Sequence, residues 1–149
     1  METPGHAPAF VDTNVLVYAL AADDDLRAPA AQDLLRHLMR TRALRLSTQV
    51  LQETFVTLTR RVRAPLDAHQ ALRYLDELAT FPVVAPDYTA IRDAVELSVR
   101  AKLSFWDALV AVAAARSAAT VLYSEDLNDG QVILGVEVVN PFRSRIKKR

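Results

Sequence analysis

Residues 8–21 read Pro8-Ala9-Phe10-Val11-Asp12-Thr13-Asn14-Val15-Leu16-Val17-Tyr18-Ala19-Leu20-Ala21. An apolar run stops at Asp12, and residues 14–21 then read as helix. A short apolar run closed by a polar residue fits a buried strand, so the chain opens as strand, acid, helix. The same alternation continues outward. Residues 27–42 carry the apolar pairs Ala30/Ala31, Leu34/Leu35 and Leu38/Met39, four apart, which is one face of a helix. Asp23, Asp24 and Asp25 in front supply capping carboxylates. Residues 44–47 alternate like a strand, and a helix follows over 49–61, stopped by Pro65. Asp67 and Gln70 form a capping box for a helix striped by Ala71, Leu75 and Leu78. Residues 81–85 make a third strand. Asp87 caps a helix carrying Ile91, Ala94 and Val95, and Ser104 caps another that runs to Ser117. Residues 120–123 and 136–139 are the last two strands.

Strands alternating with helices predict βαβ units, hence a three-layer α/β/α domain around a mostly parallel sheet of four or five strands. Composition agrees. The 149 residues suit one domain, 51% are hydrophobic and 24% charged, and neither disorder nor a linker-like chain fits. The absence of cysteine excludes a disulfide scaffold and thiolate metal sites, and suits a reducing cytosol. The first six residues lack a basic and an apolar signal region, and the longest apolar run, 108–115, is far short of the roughly 20 residues of a membrane span. The expectation is a cytoplasmic protein without a membrane segment.

Eighteen bases balance 18 acids, but unevenly. Residues 143–149 hold five bases and no acid, so 1–142 carry 13 bases against 18 acids, a net of −5. We read 1–142 as the domain and 143–149 as a basic tail, either solvated or a sequence-independent phosphate contact.

Ligands of an open parallel sheet bind outside the carboxyl ends of its strands. Asp12 follows the first strand, Glu53 sits just over one turn into the helix after the second, and Asp126 and Asp129 follow the fourth. Asp107 lies in the first turn of the helix leading into that fourth strand. Each has a plainer reading taken singly. Asp12 with Thr13 and Asn14 can cap the first helix, Glu53 can border the face of Val50, Leu51, Phe55 and Leu58, and Asp107 with Ser104 fits an acidic capping box. Two features weigh the other way. Residues 105–115, with Trp106, Leu109, Val110 and Val112, are apolar all round and so predict a buried helix, which would desolvate Asp107. Asp12 likewise sits inside core sequence. Crowded carboxylates repel one another, and a hard cation such as Mg²⁺ or Mn²⁺ relieves the repulsion. His6, His37 and His69 are scattered and read as surface residues, which argues against zinc.

Phe10-Val11-Asp12-Thr13-Asn14-Val15-Leu16-Val17-Tyr18 resembles the opening signature of PIN domains. Residues 49–53, 104–110 and 122–130 resemble that family's second, third and fourth acidic sites, and 138–142 its closing strand. The resemblance covers nearly the whole chain, in order, and within the family it is greatest to VapC-type toxins of bacterial toxin–antitoxin pairs. It implies an Mg²⁺- or Mn²⁺-dependent endoribonuclease with one or two ions. Asp12, Glu53, Asp107 and Asp126 would be the catalytic acids, with Asp12, Asp107, Asp126 and Asp129 as metal ligands; Asp126 or Asp129 is the closer of the last two. Asn14 and Ser124 map to supporting polar positions. The implied partners are RNA, a small antitoxin and a second copy of the chain, for which the stripes on 27–42 and 67–79 offer apolar surface. Arg60, Arg61, Arg63, Arg116 and the tail are candidate RNA-backbone contacts.

Two other readings stay open. A receiver-like phosphoacceptor module has a similar small fold, but it needs a reactive aspartate after the third strand, where Asp87 reads as a cap, and a lysine after a later strand, where Asn140-Pro141 stands. A catalytically silent PIN-like binding protein is the other. A haloacid-dehalogenase-like phosphatase wants a second aspartate where Asp12-Thr13-Asn14 has asparagine.

Overall fold

The computed structural model describes residues 6–21 and 26–143. In chain order the elements are β1 (Ala9–Val11), α1 (Thr13–Ala21), α2 (Ala28–Arg40), β2 (Leu44–Ser47), α3 (Thr48–Arg60), α4 (Ala68–Leu78), β3 (Val83–Val84), α5 (Tyr88–Ala101), α6 (Phe105–Arg116), β4 (Val121–Tyr123), β5 (Val132–Ile133) and β6 (Val136–Val139). The sheet order is β3-β2-β1-β4-β6-β5, parallel throughout except for β5 against β6. The mostly parallel sheet is as the sequence predicts, with one strand more than the five read there. The added strand is β5, whose two residues turn back through Leu134 (φ 53°) and Gly135 (φ 80°). Positive φ at both central residues is the two-residue hairpin turn whose twist matches its strands.

Right-handed crossovers carry the chain from β1 outward to β3 and then back past β1 to β4. The helices of the outward leg therefore lie on one face of the sheet and those of the return leg on the other. The packing agrees: α1 rests on α2 and α3, α3 on α4, and α5 on α6. The receiver-like reading ends here, because that fold orders its strands 2-1-3-4-5, whereas β3 lies at the edge beyond β2.

Local chemistry sets the helix starts. Ser47 caps α3 by accepting from the Val50 amide (3.3 Å), Asp67 and Gln70 form the predicted capping box on α4, and Asp87 and Ser104 cap α5 and α6. Each such cap is worth about 1 kcal/mol. The N-cap of α2 is Arg27, which makes no side-chain cap, and the proposed caps Asp23, Asp24 and Asp25 lie outside the described residues.

The core is built on Phe10, Leu16, Leu44, Leu46, Leu58 and Leu122, all fully buried, each contributing about 1.5–3 kcal/mol. Ala31, Leu35, Leu38, Ala71 and Leu78 are buried too, so the stripes of α2 and α4 pack on the molecule itself. In α5 the buried face is Ala90, Ala94 and Leu97, while Ile91 and Val95 are exposed. Residues 108–114 of α6 are all buried, between α5 and the sheet, but Trp106 is 60% exposed, which corrects the expectation of a helix buried from its start. His6, His37 and His69 are exposed, as expected. No helix among the described residues is long and apolar enough to cross a membrane.

Candidate active site

Strand order reverses between β1 and β4, and a crevice opens at such a point beyond the carboxyl ends of the two strands. Asp12 ends β1 there, its amide donating to the Tyr123 carbonyl at 3.0 Å, and Ser124 leaves β4 beside it. Both side chains are buried. Asp12 Oδ1 accepts from the Thr13 amide and Oδ2 from the Ser124 hydroxyl, each at 2.8 Å. Ser124 Oγ accepts in turn from the Asp126 amide (3.1 Å).

The network extends through both neighbouring helices. Asn14 Nδ2 donates to Asp126 Oδ2 (3.1 Å), and its Oδ1 accepts from the Glu125 amide (3.3 Å), so α1 clasps the loop after β4. Thr13 Oγ1 donates to Glu53 Oε1 (2.8 Å), and Gln49 Nε2 donates to Glu53 Oε2 (3.1 Å). The same Gln49 amide reaches the Trp106 carbonyl (3.4 Å), one residue before Asp107, whose amide donates to Ser104 Oγ (3.0 Å). One hydrogen-bonded path thus joins Asp126, Asp12 and Glu53 to the first turn of α6, where Asp107 stands.

Among the described residues no base pairs with the acids of this crevice. Burial pushes the Asp12 carboxyl up from its usual 3.8 to about 6; the Ser124 hydroxyl and Thr13 amide pull it down, while the charges of Asp126 and Glu53 push it up. Partial burial raises Asp107 as well, against its Ser104 hydrogen bond, and Asp126 and Glu53 add to the rise. Among the described residues none of these four carboxylates has an ion-pair partner. Gln49 Oε1 is buried and accepts no hydrogen bond. An all-oxygen, negatively charged crevice suits a hard divalent cation in kind. No three acids or histidines among the described residues form a ready cage.

The other predicted residues divide. Asp129 is exposed, and its Oδ1 accepts from the Asn140 amide (2.8 Å), so its carboxylate fastens the end of β6 and lies outside the network. Arg60 and Arg61 are exposed at the C-terminal end of α3, about 10 Å along the helix from Glu53. Arg63 is exposed just beyond them. Arg116 ends α6, about 13 Å along it from Asp107, and pairs with Asp87 (3.2 Å) and Asp93 (3.0 Å) of α5. Of the basic tail only Arg143 lies within the described residues.

Sequence reasoning named Asn14 and Ser124 as supports, and they hold Asp126 and Asp12, but it missed the other residues that hold the acids or their loop. Gln49 and Glu53 are four apart on one helix, a spacing that could have flagged the pair. Arg27, Tyr18 and Glu125 gave no such signal. Arg27 Nε contacts Glu125 Oε2 at 2.6 Å, Tyr18 Oη donates to Glu125 Oε1 at 2.8 Å, and the guanidinium lies over the rings of Tyr18 and Phe142. This cluster secures the loop that carries Ser124 and Asp126.

The PIN domain family model matches residues 9–128. No curated protein matches the sequence. A toxin–antitoxin complex from Klebsiella pneumoniae is similar in structure, with TM-score 0.67 and 23% identity over 90% of this chain and 98% of that one. The sarcin–ricin loop cleaving toxin VapC20 of Mycobacterium tuberculosis gives TM-score 0.61 and 24% identity, covering 79% and 89%. VapBC2 of Rickettsia felis, bound to a DNA fragment from its promoter, gives TM-score 0.61 and 19% identity, covering 87% and 96%. These likenesses agree with the observed fold. The family model spans most of the chain, from β1 to the loop after β4, and the chain belongs to the PIN domain family.

Proposed function

We propose that this chain is a divalent-metal-dependent endoribonuclease of the VapC toxin type. The observation that carries the reading is the set of four carboxylates, Asp12, Glu53, Asp107 and Asp126, brought to one crevice by four segments of chain and held by hydroxyls and amides that leave their charge intact. Asp12, Asp107 and Asp126 are the residues that would hold one or two Mg²⁺ or Mn²⁺ ions. When bound, the ion supplies charge neutralisation for a polyanion and Lewis acidity toward the scissile phosphate.

The protein's own groups do the rest. Thr13 and Gln49 fix both oxygens of Glu53, which leaves that carboxylate free lone pairs to orient an attacking water. Ser124 holds Asp12 against Asp126. Without a cation the crevice repels RNA, so binding and cleavage share one cation dependence. Arg60, Arg61 and Arg63 are the proposed contacts to the RNA backbone. Arg116 is set aside, being committed to Asp87 and Asp93. A small antitoxin and a second copy of the chain are the proposed partners. The exposed apolar residues of α5 and a groove of about 470 Å³ between α3 and α4, lined by Leu51, Phe55, Val56 and Leu75, supply surface for them. Such a toxin acts in the cytoplasm, where its RNA is.

The test is incubation of the purified chain with total RNA in Mg²⁺ or Mn²⁺, with and without EDTA. We expect internal cleavage with either ion and none with EDTA. Absence of cleavage with both ions would favour the catalytically silent reading.

A further inference from the structure

α2 starts with a residue that local chemistry would not choose. Its N-cap is Arg27, which makes no side-chain cap. Serine, threonine, aspartate and asparagine are preferred there because they accept from the free amides of the first turn. A guanidinium has no acceptor, and its charge opposes the positive end of the helix dipole. The use of Arg27 lies instead in a distant contact. Its Nε meets Glu125 Oε2 at 2.6 Å, and the two side chains are 37% and 22% exposed, so the pair is partly sheltered from solvent. The guanidinium lies 5.4 Å from the ring centre of Tyr18 and 5.9 Å from that of Phe142, and these two rings meet edge to face. Rings beneath a guanidinium hold its fork in place.

The contact matters because of what stands beside Glu125. Ser124, Glu125 and Asp126 are consecutive, and each is tied to a different group. Ser124 donates to Asp12, and Asp126 accepts from Asn14. Glu125 accepts from the Tyr18 hydroxyl on one oxygen and from Arg27 on the other. Asn14 and Tyr18 are four apart, hence neighbours on one face of α1. The two adjacent acids thereby part company. Asp126 acts on the crevice, because its charge raises both Asp12 and Asp107. Glu125 is engaged by a cation. Without that partner, a second carboxylate one residue from Asp126 would compete for the same hard cation and draw the loop out of place.

We propose that Arg27 is a positioning residue for the metal-binding crevice: by pairing with Glu125 it keeps that acid out of the site and holds the loop so that Asp126 stays where Asn14 orients it. This inference rests on the divalent-metal reading and names a residue outside the acids that sets the affinity. Arg27 acts through the loop alone. Its charge by itself would have the opposite effect. Loss of a cation beside the crevice makes the crevice more negative and tightens cation binding, whereas loss of a positioning contact weakens it.

The experiment is calorimetric titration of Mn²⁺ into the full, metal-free chain at pH 7.5. It compares wild type with Arg27→Met, with Arg27→Met/Glu125→Gln, which restores the charge balance without the pair, and with Tyr18→Phe, which changes no charge. Circular dichroism and thermal melting check the fold of each. Arg27→Met should bind about tenfold to a hundredfold more weakly, the loss typical of a residue that supports a metal ligand. The double variant should stay weak, and Tyr18→Phe should weaken binding in the same direction by less. Tighter binding by Arg27→Met, with wild-type affinity in the double variant, would assign the effect to charge and overturn the proposal. Arg27→Met that melts earlier yet binds Mn²⁺ like wild type would make the pair a staple of the fold and overturn it too. If Arg27→Met does not fold, Tyr18→Phe carries the test, and wild-type affinity there overturns the proposal. No uptake by wild type would overturn the metal reading together with this inference, whereas wild-type uptake that every variant keeps overturns this inference alone.

Discussion

The two ends of α6 carry acidic clusters of opposite character. At its C-terminal end Arg116 lies between Asp87 and Asp93 and pairs with both, offsetting half of their charge within the fold. At its N-terminal end Asp107 stands near the charges of Glu53 and Asp126, and among the described residues hydroxyls and amides hold Asp12, Glu53 and Asp126. Both clusters are fixed by hydrogen bonds, but among the described residues only the first has a cation paired with its acids. Like charges brought together without a partner raise one another's pKa and oppose folding, so the second arrangement is one a structural role would not select. It supports the proposed reading of a site completed by a cation.

The comparison can be broken most severely at the uncancelled end. Asp12→Asn or Asp107→Asn should lower RNA cleavage by more than about a hundredfold, beyond the loss typical of residues that support a metal site, with the far-ultraviolet circular dichroism unchanged. Wild-type rates in either variant would remove that carboxylate from the site. Gln49→Leu or Thr13→Val, which free Glu53 without touching its charge, should reduce cleavage about tenfold to a hundredfold. Rates within twofold of wild type would show that Glu53 needs no such support.

The next effect is on stability. The carboxyl of Asp12 is pushed up from 3.8 to about 6 in the folded chain, so the folded state holds its proton more tightly than the unfolded state. The contribution of this group is neutral below about pH 4, turns unfavourable as pH rises toward 6, and above that reaches about 3 kcal/mol. In EDTA, Asp12→Asn should therefore melt several degrees above wild type at pH 8, and the gap should close near pH 4. A variant that melts below wild type at pH 8 would contradict this. The smallest effect belongs to the paired end: Arg116→Met, removing two largely exposed ion pairs, should shift stability by about 1 kcal/mol or less and leave cleavage unaltered.

Most of this fold is legible in the sequence because its signals are local. The run Phe10-Val11 closed by Asp12, the capping box Asp67/Gln70 and the caps Asp87 and Ser104 depend on neighbours within a few residues. β5 escapes because two residues carry no periodicity and its turn uses Leu134-Gly135. The exposed indole of Trp106 escapes because an apolar sequence does not tell where a buried helix emerges from its cover. For the site, the four acids and the supports Asn14 and Ser124 follow from motif order, but the longer-range contacts do not. Arg27 reaches Glu125 across 98 positions of chain, and Asp129 leaves the network because the Asn140 amide, beyond β6, claims its carboxylate. Contacts of that range exist only once the strands have been ordered.

The most direct measurement is a calorimetric titration of Mn²⁺ into the metal-free chain at pH 7.5, run beside Asp12→Asn and Asp87→Asn. Uptake of one or two ions by wild type and by Asp87→Asn, lost or greatly weakened in Asp12→Asn, is the predicted result. No uptake by wild type, or uptake that survives Asp12→Asn and disappears with Asp87→Asn, would contradict the account.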